Sequence, residues 1–435
     1  MRTHAVLYTD VLVIGAGAAA SRAALESERA GADTVMITKR RFGSAGTSTF
    51  RVAESAGFSA SGDLSEYRAK AVILATGGAG CLFEETLNPV DITGDGYAPG
   101  ARAGARLVNM EFMQSGLGVI EPAKTIFNAW IWSLCPDIQN SSGEDFITKY
   151  LPDGVTLQDC IAAKDGHYPF STRDLSRYIE IAVKKEGNRG EGVYADLRKV
   201  PPLSEIDNMN LAQMWPITKA WMQKCGADPD NSILRLTCYA HAFNGGLLID
   251  EHAETTVPRL LAVGETAGGP HGADRLGGNM FSSGQVFGEI AGKYAAGLAR
   301  ESDFPARRET APPSIPWGGG PGEARLDAWR GRLQRLASRD LLVVRTGEGL
   351  RHYQEEARLL EEELSSAAVS SGREAQKLLE LKNLLLTGRL VAQAALKRTE
   401  SRGSHYREDF PAMSEDPMWR KAIALENGNC SMEEL

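Results

Sequence analysis

The sequence predicts an α/β fold, with a Rossmann-like domain that is interrupted by an inserted segment and followed by a helical C-terminal region. Three observations carry this prediction. A buried strand, a glycine-rich turn, a helix and a second strand follow one another between residues 10 and 39, which is the order of a Rossmann β-α-β unit. Buried strands return at 247–250 and 260–264, directly before a glycine-rich loop. Apolar residues at helical spacing then recur over 325–341, 348–365 and 373–398, which predicts three helices.

The composition limits the class of protein and the partners that it can have. The chain has 435 residues, of which 43% are hydrophobic and 24% charged, as in an ordinary globular protein of roughly two to four domains. A net charge of −8 argues mildly against nucleic acid as the main partner. Apolar runs such as 71–83 are too short to span a bilayer, and the N-terminus lacks a signal-peptide pattern. We therefore expect a cytoplasmic protein with no direct membrane span.

The six cysteines are scattered along the chain without a Cys-x-x-Cys pair. This spacing predicts neither a zinc site, nor an iron–sulfur site, nor a disulfide framework. A reduced compartment is the simplest fit to such cysteine usage, and we expect no bound metal.

The first element is a buried strand over 10–14, followed at once by a glycine-rich turn, a helix to about residue 30 and a strand over 34–39. We expect Gly15 to make the tight turn and Gly17 to let the backbone approach a pyrophosphate at the helix N-terminus. Ala20 replaces the third glycine of the usual motif and still allows close packing of helix on strand. The motif alone is weak, but its context predicts dinucleotide binding.

The second strand ends in Thr38 and Lys39, so no carboxylate is placed there to hold a ribose. The small polar segment 44–49, with Thr47 and Ser48, suits phosphate or flavin contacts, although a plain linker would have the same turn-like composition. A third buried strand starts near residue 71 and ends in Thr76-Gly77-Gly78.

The loop 264–281 contains six glycines and a single arginine, Arg275. Glycine at this density lets a backbone lie against a ligand, and an arginine there is suited to clamp a carboxylate or phosphate. The alternative is an ordinary glycine-rich surface loop.

Taken together, these motifs resemble the flavoprotein subunits of succinate dehydrogenase and fumarate reductase, a group that includes L-aspartate oxidase and the adenylylsulfate reductase α subunit. The resemblance covers most of the chain in the right order, and each motif is moderately specific. The motifs that carry it are 15–20, 75–78, 94–96, 101–105, 111–114, 172–174, 240–246, 264–279 and 398–405.

The resemblance implies a Rossmann-like FAD-binding domain with an inserted capping domain and a C-terminal helical domain. It places the FAD pyrophosphate at Gly15 and Gly17, and the adenosine ribose near Thr38 and Lys39. The remaining cofactor contacts that it implies are Ala20, Thr47, Ser48, Thr76, Gly77, Gly78, the carboxylate of Glu265 and the backbone of Asn279, Met280 and Phe281. No histidine occurs between His4 and His167, so the FAD is expected to be non-covalent.

On the substrate side, the resemblance implies that Arg275 clamps a substrate carboxylate, His241 hydrogen-bonds it and Arg173 relays a proton. Cationic groups there would stabilise the enolate-like charge that develops during hydride transfer at flavin N5. The alternatives are that His241 is a satisfied core histidine and that Arg173 forms a salt bridge at a helix start.

The sequence departs from the family at two places. The family signature Phe-His-Pro-Thr after Glu-Phe-x-Gln is replaced by 115–118, Ser-Gly-Leu-Gly, and an aromatic segment follows at 125–132. Such a pocket favours a larger, less charged substrate end than a C4 dicarboxylate, unless these aromatics only pack the lid. Between residue 49 and the strand near 71 lie only about twenty residues, little more than the roughly dozen that one crossover needs.

We therefore predict an FAD-binding domain over 1–118 and 235–304, shortened near 51–69, an irregular lid with helical pieces over 119–234 and a helical domain over 323–435. The segment 400–411 is expected to be a structural latch. The predicted function is FAD-dependent oxidation or reduction of a small carboxylate-bearing substrate, and the expected partner is an iron–sulfur or other electron-transfer subunit. The alternatives are a flavin-binding subunit of a multi-subunit reductase, as in adenylylsulfate reductase, and a catalytically inactive paralogue.

Overall fold

The computed structural model describes residues 3–39, 64–122, 124–126, 137–164, 168–199, 209–224, 226, 228, 231–304 and 316–434. Its strands are β1 (Thr3–Ile14), β2 (Thr34–Ile37), β3 (Leu64–Leu74), β4 (Leu107–Val108), β5 (Met113–Glu121), β6 (Thr125–Ile126), β7 (Asp137–Asn140), β8 (Val193–Asp196), β9 (Ile233–Phe243), β10 (Gly246–Leu248), β11 (Leu260–Ala262), β12 (Ala267–Gly268), β13 (Val344–Arg345), β14 (Tyr406–Arg407), β15 (Ala422–Glu426) and β16 (Asn429–Glu433). Its α-helices are α1 (Ala18–Arg29), α2 (Tyr97–Arg102), α3 (Leu157–Lys164), α4 (Arg177–Asn188), α5 (Met209–Lys224), α6 (Asn279–Arg300), α7 (Glu323–Asp340), α8 (Gly347–Ser365) and α9 (Gly372–Lys397).

A parallel sheet of order β11-β3-β1-β2 forms the Rossmann-like core. Val11 pairs with Thr34 on one side and with Ala71 on the other. Parallel strands need both faces covered, and the buried cluster of Val11 and Val13 with alanines of α1 and α6 supplies part of that cover. The predicted α/β fold is therefore confirmed.

The helices α1 and α6 approach closely because small residues line their contact. A Cβ added at Gly288 would lie 2.9 Å from the carbonyl oxygen of Ala19, and one at Gly292 would lie 2.4 Å from that of Ala23. Ala20 is fully buried in the same cluster. This contact brings the N-terminal ends of both helices to the same edge of the sheet, where the parallel strands end.

The inserted region contains an antiparallel sheet of order β6-β5-β9-β8-β7, where the sequence predicted irregular structure with helical pieces. The helices α3 and α4 belong to it. The predicted domain boundaries at 118/119 and 234/235 fall inside β5 and β9, and the boundaries themselves stay predictions.

The three predicted C-terminal helices correspond to α7, α8 and α9. The helical prediction is incomplete, because β15 and β16 form a hairpin that continues the sheet β12-β10-β4-β15-β16. Among the helices of the described residues, none has both the length and the apolarity to cross a membrane.

Buried arginines attach the segment 400–411 to the rest of the chain. Arg398 lies 2.8 Å from Glu111 and 3.0 Å from Glu400, and Arg345 donates to the main-chain oxygen of Glu111 (2.6 Å). The Arg345 guanidinium also lies 2.7 Å from Nδ1 of the buried His405. These contacts join the segment to Arg345 and, through Arg398, to Glu111, and its role as a structural latch stays a prediction.

Candidate active site

A cavity of about 910 Å³ lies where the parallel strands end, between the turn 15–19 and the loop 264–281. The structure brings most of the sequence-predicted site residues to its wall. Those that line it are Gly15, Gly17, Thr38, Lys39, Thr76, Gly77, Arg173, His241, Glu265, Arg275, Met280 and Phe281.

Three predicted cofactor residues lie elsewhere. Ala20 is buried between α1 and its neighbours, which is the packing role expected of it. Gly78 supports Glu265, because a Cβ at Gly78 would lie 2.3 Å from Oε1 of that carboxylate. Asn279 is exposed at the start of α6. Thr47, Ser48 and most of the aromatic segment, residues 127–132, lie outside the described residues.

The two glycines of the dinucleotide turn meet different requirements. Gly15 has φ +130°, and a Cβ there would lie 2.1 Å from the carbonyl oxygen of Ala75. Gly17 has φ −76° and begins α1 without a side-chain cap, and a Cβ there would have no neighbour within 4 Å. Gly15 therefore keeps the chain folded, whereas Gly17 leaves open space in front of a helix N-terminus that favours an anion.

A second helix begins at the cavity. The N-cap of α6 is Gly278, with φ +81° and no side-chain cap, and Met280 and Phe281 in its first turn line the cavity. The positive end of this helix dipole thus points to the same space as that of α1.

The cavity wall beside Lys39 holds carboxylates that sequence reasoning missed. Asp91 and Asp95 line it together with Lys39, although no acid follows β2 directly. The Lys39 ammonium contacts Asp95 and lies 3.1 Å from Glu380, so its charge is compensated within the protein. The only sequence signal was the Gly-Asp-Gly motif at 94–96, which contains Asp95.

Both the side chain and the main chain of Glu265 accept hydrogen bonds that fix its position. Its Oε1 accepts a hydrogen bond from the backbone N–H of Phe243 (2.8 Å), and its carbonyl oxygen accepts one from the Tyr97 hydroxyl (2.6 Å). Burial raises the pKa of Glu265 to about 7, although the hydrogen bond from Phe243 and the charge of Arg275 oppose this shift. The carboxyl group can therefore exchange hydrogen bonds with ligand hydroxyls in either protonation state.

Arg275 is 7% exposed and its side chain is fixed. Its Nε donates to Oε1 of Gln114 (3.0 Å) and its Nη1 donates to the carbonyl oxygen of Leu276 (3.1 Å). Gln114 Nε2 donates back to the carbonyl oxygen of Arg275 (2.9 Å). In the sequence, Gln114 stood out only as part of the motif 111–114, and its support of the Arg275 side chain was missed.

His241 and Arg173 are the remaining predicted substrate-binding residues, and both line the cavity. Burial, and after it the charge of Arg275, lowers the pKa of His241 to about 4, so the imidazole is neutral near pH 7. The Arg173 side chain is 46% exposed and lies 3.4 Å from Asp174 and 3.7 Å from Asp274. The structure thus shows the ion pairs weighed as an alternative for Arg173, and it also places this residue at the cavity.

Within the described residues, no group of three or more histidine, cysteine or acidic side chains could hold a metal ion.

The fold and the cavity define an α/β dinucleotide-binding protein of the flavoprotein type. The FAD binding domain family matches residues 10–52 and 44–281, and the fumarate reductase flavoprotein C-terminal family matches 330–434. The chain belongs to the succinate dehydrogenase and fumarate reductase flavoprotein family, as its motifs indicated. The two FAD-domain matches overlap at 44–52, next to the region where we expect the domain to be shortened.

Two relatives illustrate this kinship. The chain is 33% identical over 380 residues to an uncharacterized FAD-dependent oxidoreductase of Methanocaldococcus jannaschii, covering 84% of this chain and 65% of the relative. It is 34% identical over 370 residues to one of the subunits of the fumarate reductase (CoM/CoB) of Methanothermobacter marburgensis, covering 82% and 64%. The chain thus spans just under two thirds of these relatives' lengths.

The fold is similar to that of Mycobacterium smegmatis Sdh1, solved in complex with UQ1, with a TM-score of 0.78 at 21% identity, over 99% of this chain and 95% of that chain. At this identity the likeness concerns the fold alone.

Proposed function

We propose that the chain binds FAD non-covalently and transfers a hydride between the flavin and a carbon next to a substrate carboxylate. The observation that carries this proposal is a single cavity whose wall includes both the N-terminal turn of α1 and the side chains of Arg275 and His241. One space therefore joins an anion-binding helix start to a fixed guanidinium.

The residues present fit FAD. The uncapped start of α1 beside Gly17 would hold the pyrophosphate, and Asp91 or Asp95 would accept ribose hydroxyls. Glu265 would bind ribitol hydroxyls, and the start of α6 would lie along the pyrimidine edge, where its dipole favours negative charge.

FAD, when bound and reduced, supplies a hydride equivalent to one carbon of a C=C bond, while its neighbour gains a proton and the flavin is oxidised. Arg275 would hold the substrate carboxylate, since a guanidinium matches its two oxygens. The neutral imidazole of His241 would hydrogen-bond the same group. Arg173, beside Asp274 at the cavity wall, would pass the proton to the substrate.

A flavin that is oxidised in each turnover must then receive electrons from a donor. We infer that their source is an iron–sulfur or other electron-transfer subunit. The relative named as one component of a multi-subunit fumarate reductase supports this partner.

Purified protein reconstituted with FAD tests the proposal. We expect flavin absorbance at roughly 450 nm that is released intact by denaturation, as a non-covalent cofactor is. After chemical reduction under anaerobic conditions, an unsaturated acid from a panel should reoxidise the flavin. Protein that stays colourless would reject the flavin proposal. A flavin that no acid reoxidises would point instead to a flavin-binding subunit or an inactive paralogue.

A further inference from the structure

Two glycines of β5 make room for two tyrosine rings beside His241. A Cβ at Gly116 would lie 2.8 Å from the Tyr168 hydroxyl, and one at Gly118 would lie 2.5 Å from the ring of Tyr239. Residues two apart on a strand face the same side, so one face of β5 lacks side chains here and the tyrosines occupy that space. These glycines belong to the segment 115–118 that departs from the family signature.

The two rings enclose the imidazole of His241. Tyr168 and Tyr239 lie 6.0 Å and 6.4 Å from it between ring centroids, both nearly perpendicular to it. Tyr239 is 1% exposed, whereas Tyr168 lines the cavity.

The Tyr168 hydroxyl is already used inside the protein, because it donates to the carbonyl oxygen of Leu117 (2.9 Å). A tyrosine held by its hydroxyl offers a ligand mainly its carbon ring. Pro169 and Leu276 line the same cavity and add to its carbon surface.

The charged side chains of the cavity wall suit a substrate with one carboxylate. Arg275 is the buried, fixed cation, and His241 is neutral near pH 7 because burial lowers its pKa. Arg173 already faces Asp174 and Asp274, and the third cation of the described cavity wall, Lys39, faces Asp95 and Glu380. A second substrate carboxylate would lose its hydration against carbon surface without a dedicated cation, which is costly.

We propose that this site takes a 2-enoate with a single carboxylate and an apolar, planar group at its far end, and that Tyr168 determines this specificity. Arg275 holds the carboxylate, and the ring of Tyr168 packs against the apolar group. The proposal rests on the proposed function, because it names the substrate class of the same site.

Calorimetric titration of the oxidised, FAD-loaded protein with cinnamate, crotonate and fumarate provides the primary test. We expect cinnamate to bind at least about tenfold more tightly than fumarate, since apolar contacts of this size discriminate by about that factor. Tyr168→Ala should reduce cinnamate affinity at least about tenfold, whereas Tyr168→Phe keeps the ring and should retain the preference. A kcat/KM comparison with a reduced viologen donor should give the same order.

Tyr194→Ala is the matched control. Tyr194 lies in β8 of the same sheet and also packs over a glycine, Gly192, but it does not line the cavity. It should leave the cinnamate-to-fumarate ratio unchanged, and flavin content verifies that each variant is folded. A wild-type preference for fumarate, or a ratio that Tyr168→Ala leaves unchanged, would overturn the inference while the proposed function stands. Selective cinnamate binding without any turnover would support the specificity and count against the proposed reaction.

Discussion

Gln114 and Arg275 are joined by two hydrogen bonds, one through each polar atom of the Gln114 side-chain amide. The Gln114 Nε2 donates to the main-chain oxygen of Arg275 (2.9 Å), and the Arg275 Nε donates to the Gln114 Oε1 (3.0 Å). Gln114 ends the Glu-Phe-x-Gln motif at the start of β5, and Arg275 lies in the glycine-rich loop. One buried side chain therefore fixes both the backbone and the guanidinium of the proposed substrate clamp.

Gln114→Met should lower the free energy of unfolding by about 1–3 kcal/mol, because Arg275 Nε then stays buried without an acceptor. Denaturant unfolding measures this loss. The control Gln139→Met removes a local hydrogen bond to Asp137 and should change stability by less than about 0.5 kcal/mol. Similar losses in both variants would contradict a supporting role for Gln114.

Arg275→Lys should reduce turnover at least about tenfold while flavin content stays near that of the wild type, because lysine lacks the bidentate fork. Turnover per bound flavin gives the result directly. Arg339→Lys changes an arginine that pairs with Asp340 away from the FAD cavity, and it should leave that ratio unchanged. Parallel loss of flavin and turnover would assign Arg275 to cofactor binding or folding.

Gly17→Ala should leave the flavin-free protein folded but weaken FAD binding by about 1–3 kcal/mol, the usual cost of an overlapping methyl group. The reason is that the new Cβ meets no protein atom within 4 Å and intrudes only on a ligand. Thermal unfolding and FAD titration separate the two effects.

Gly15→Ala is the contrasting variant, since its Cβ would overlap the Ala75 carbonyl oxygen, and it should fail in folding itself. Unchanged FAD affinity in Gly17→Ala would remove the pyrophosphate from this turn.

Glu265→Gln should remove a pH-dependent loss of stability in the flavin-free protein. Burial raises the pKa of Glu265 to about 7, so folding favours the protonated carboxyl. Its contribution is complete below the unfolded pKa of 4.5 and is lost as pH rises through the folded pKa of about 7.

Between pH 4.5 and 8, the wild type should therefore lose about 2 kcal/mol of unfolding free energy relative to Glu265→Gln, with water in the cavity screening part of the full linkage effect. Denaturant unfolding at several pH values measures the difference between the two proteins. A difference that does not vary with pH would show that Glu265 has an ordinary pKa.

Local sequence patterns predicted the parts of the site that are formed by residues close together in sequence. The turn at Gly15 and Gly17 follows from strand periodicity and glycine spacing, and the structure places both at the cavity. Gln114 and Tyr168 were missed, because each hydrogen-bonds a segment far away in sequence. Asp91 was missed, because only the folded chain brings it to the same cavity wall as Lys39. The sheet of the inserted region was missed for the same reason, since β5 pairs with β9 more than a hundred residues later.

The short strand β4 lies between β10 and β15 and pairs Val108 with Ala424, more than 300 residues later. Contacts of such large sequence separation form late, since a long loop must close first. We therefore expect the sheet β12-β10-β4-β15-β16 to be among the last parts to assemble. A chain interrupted before β15 would expose one unpaired edge of β4 that is open to aggregation.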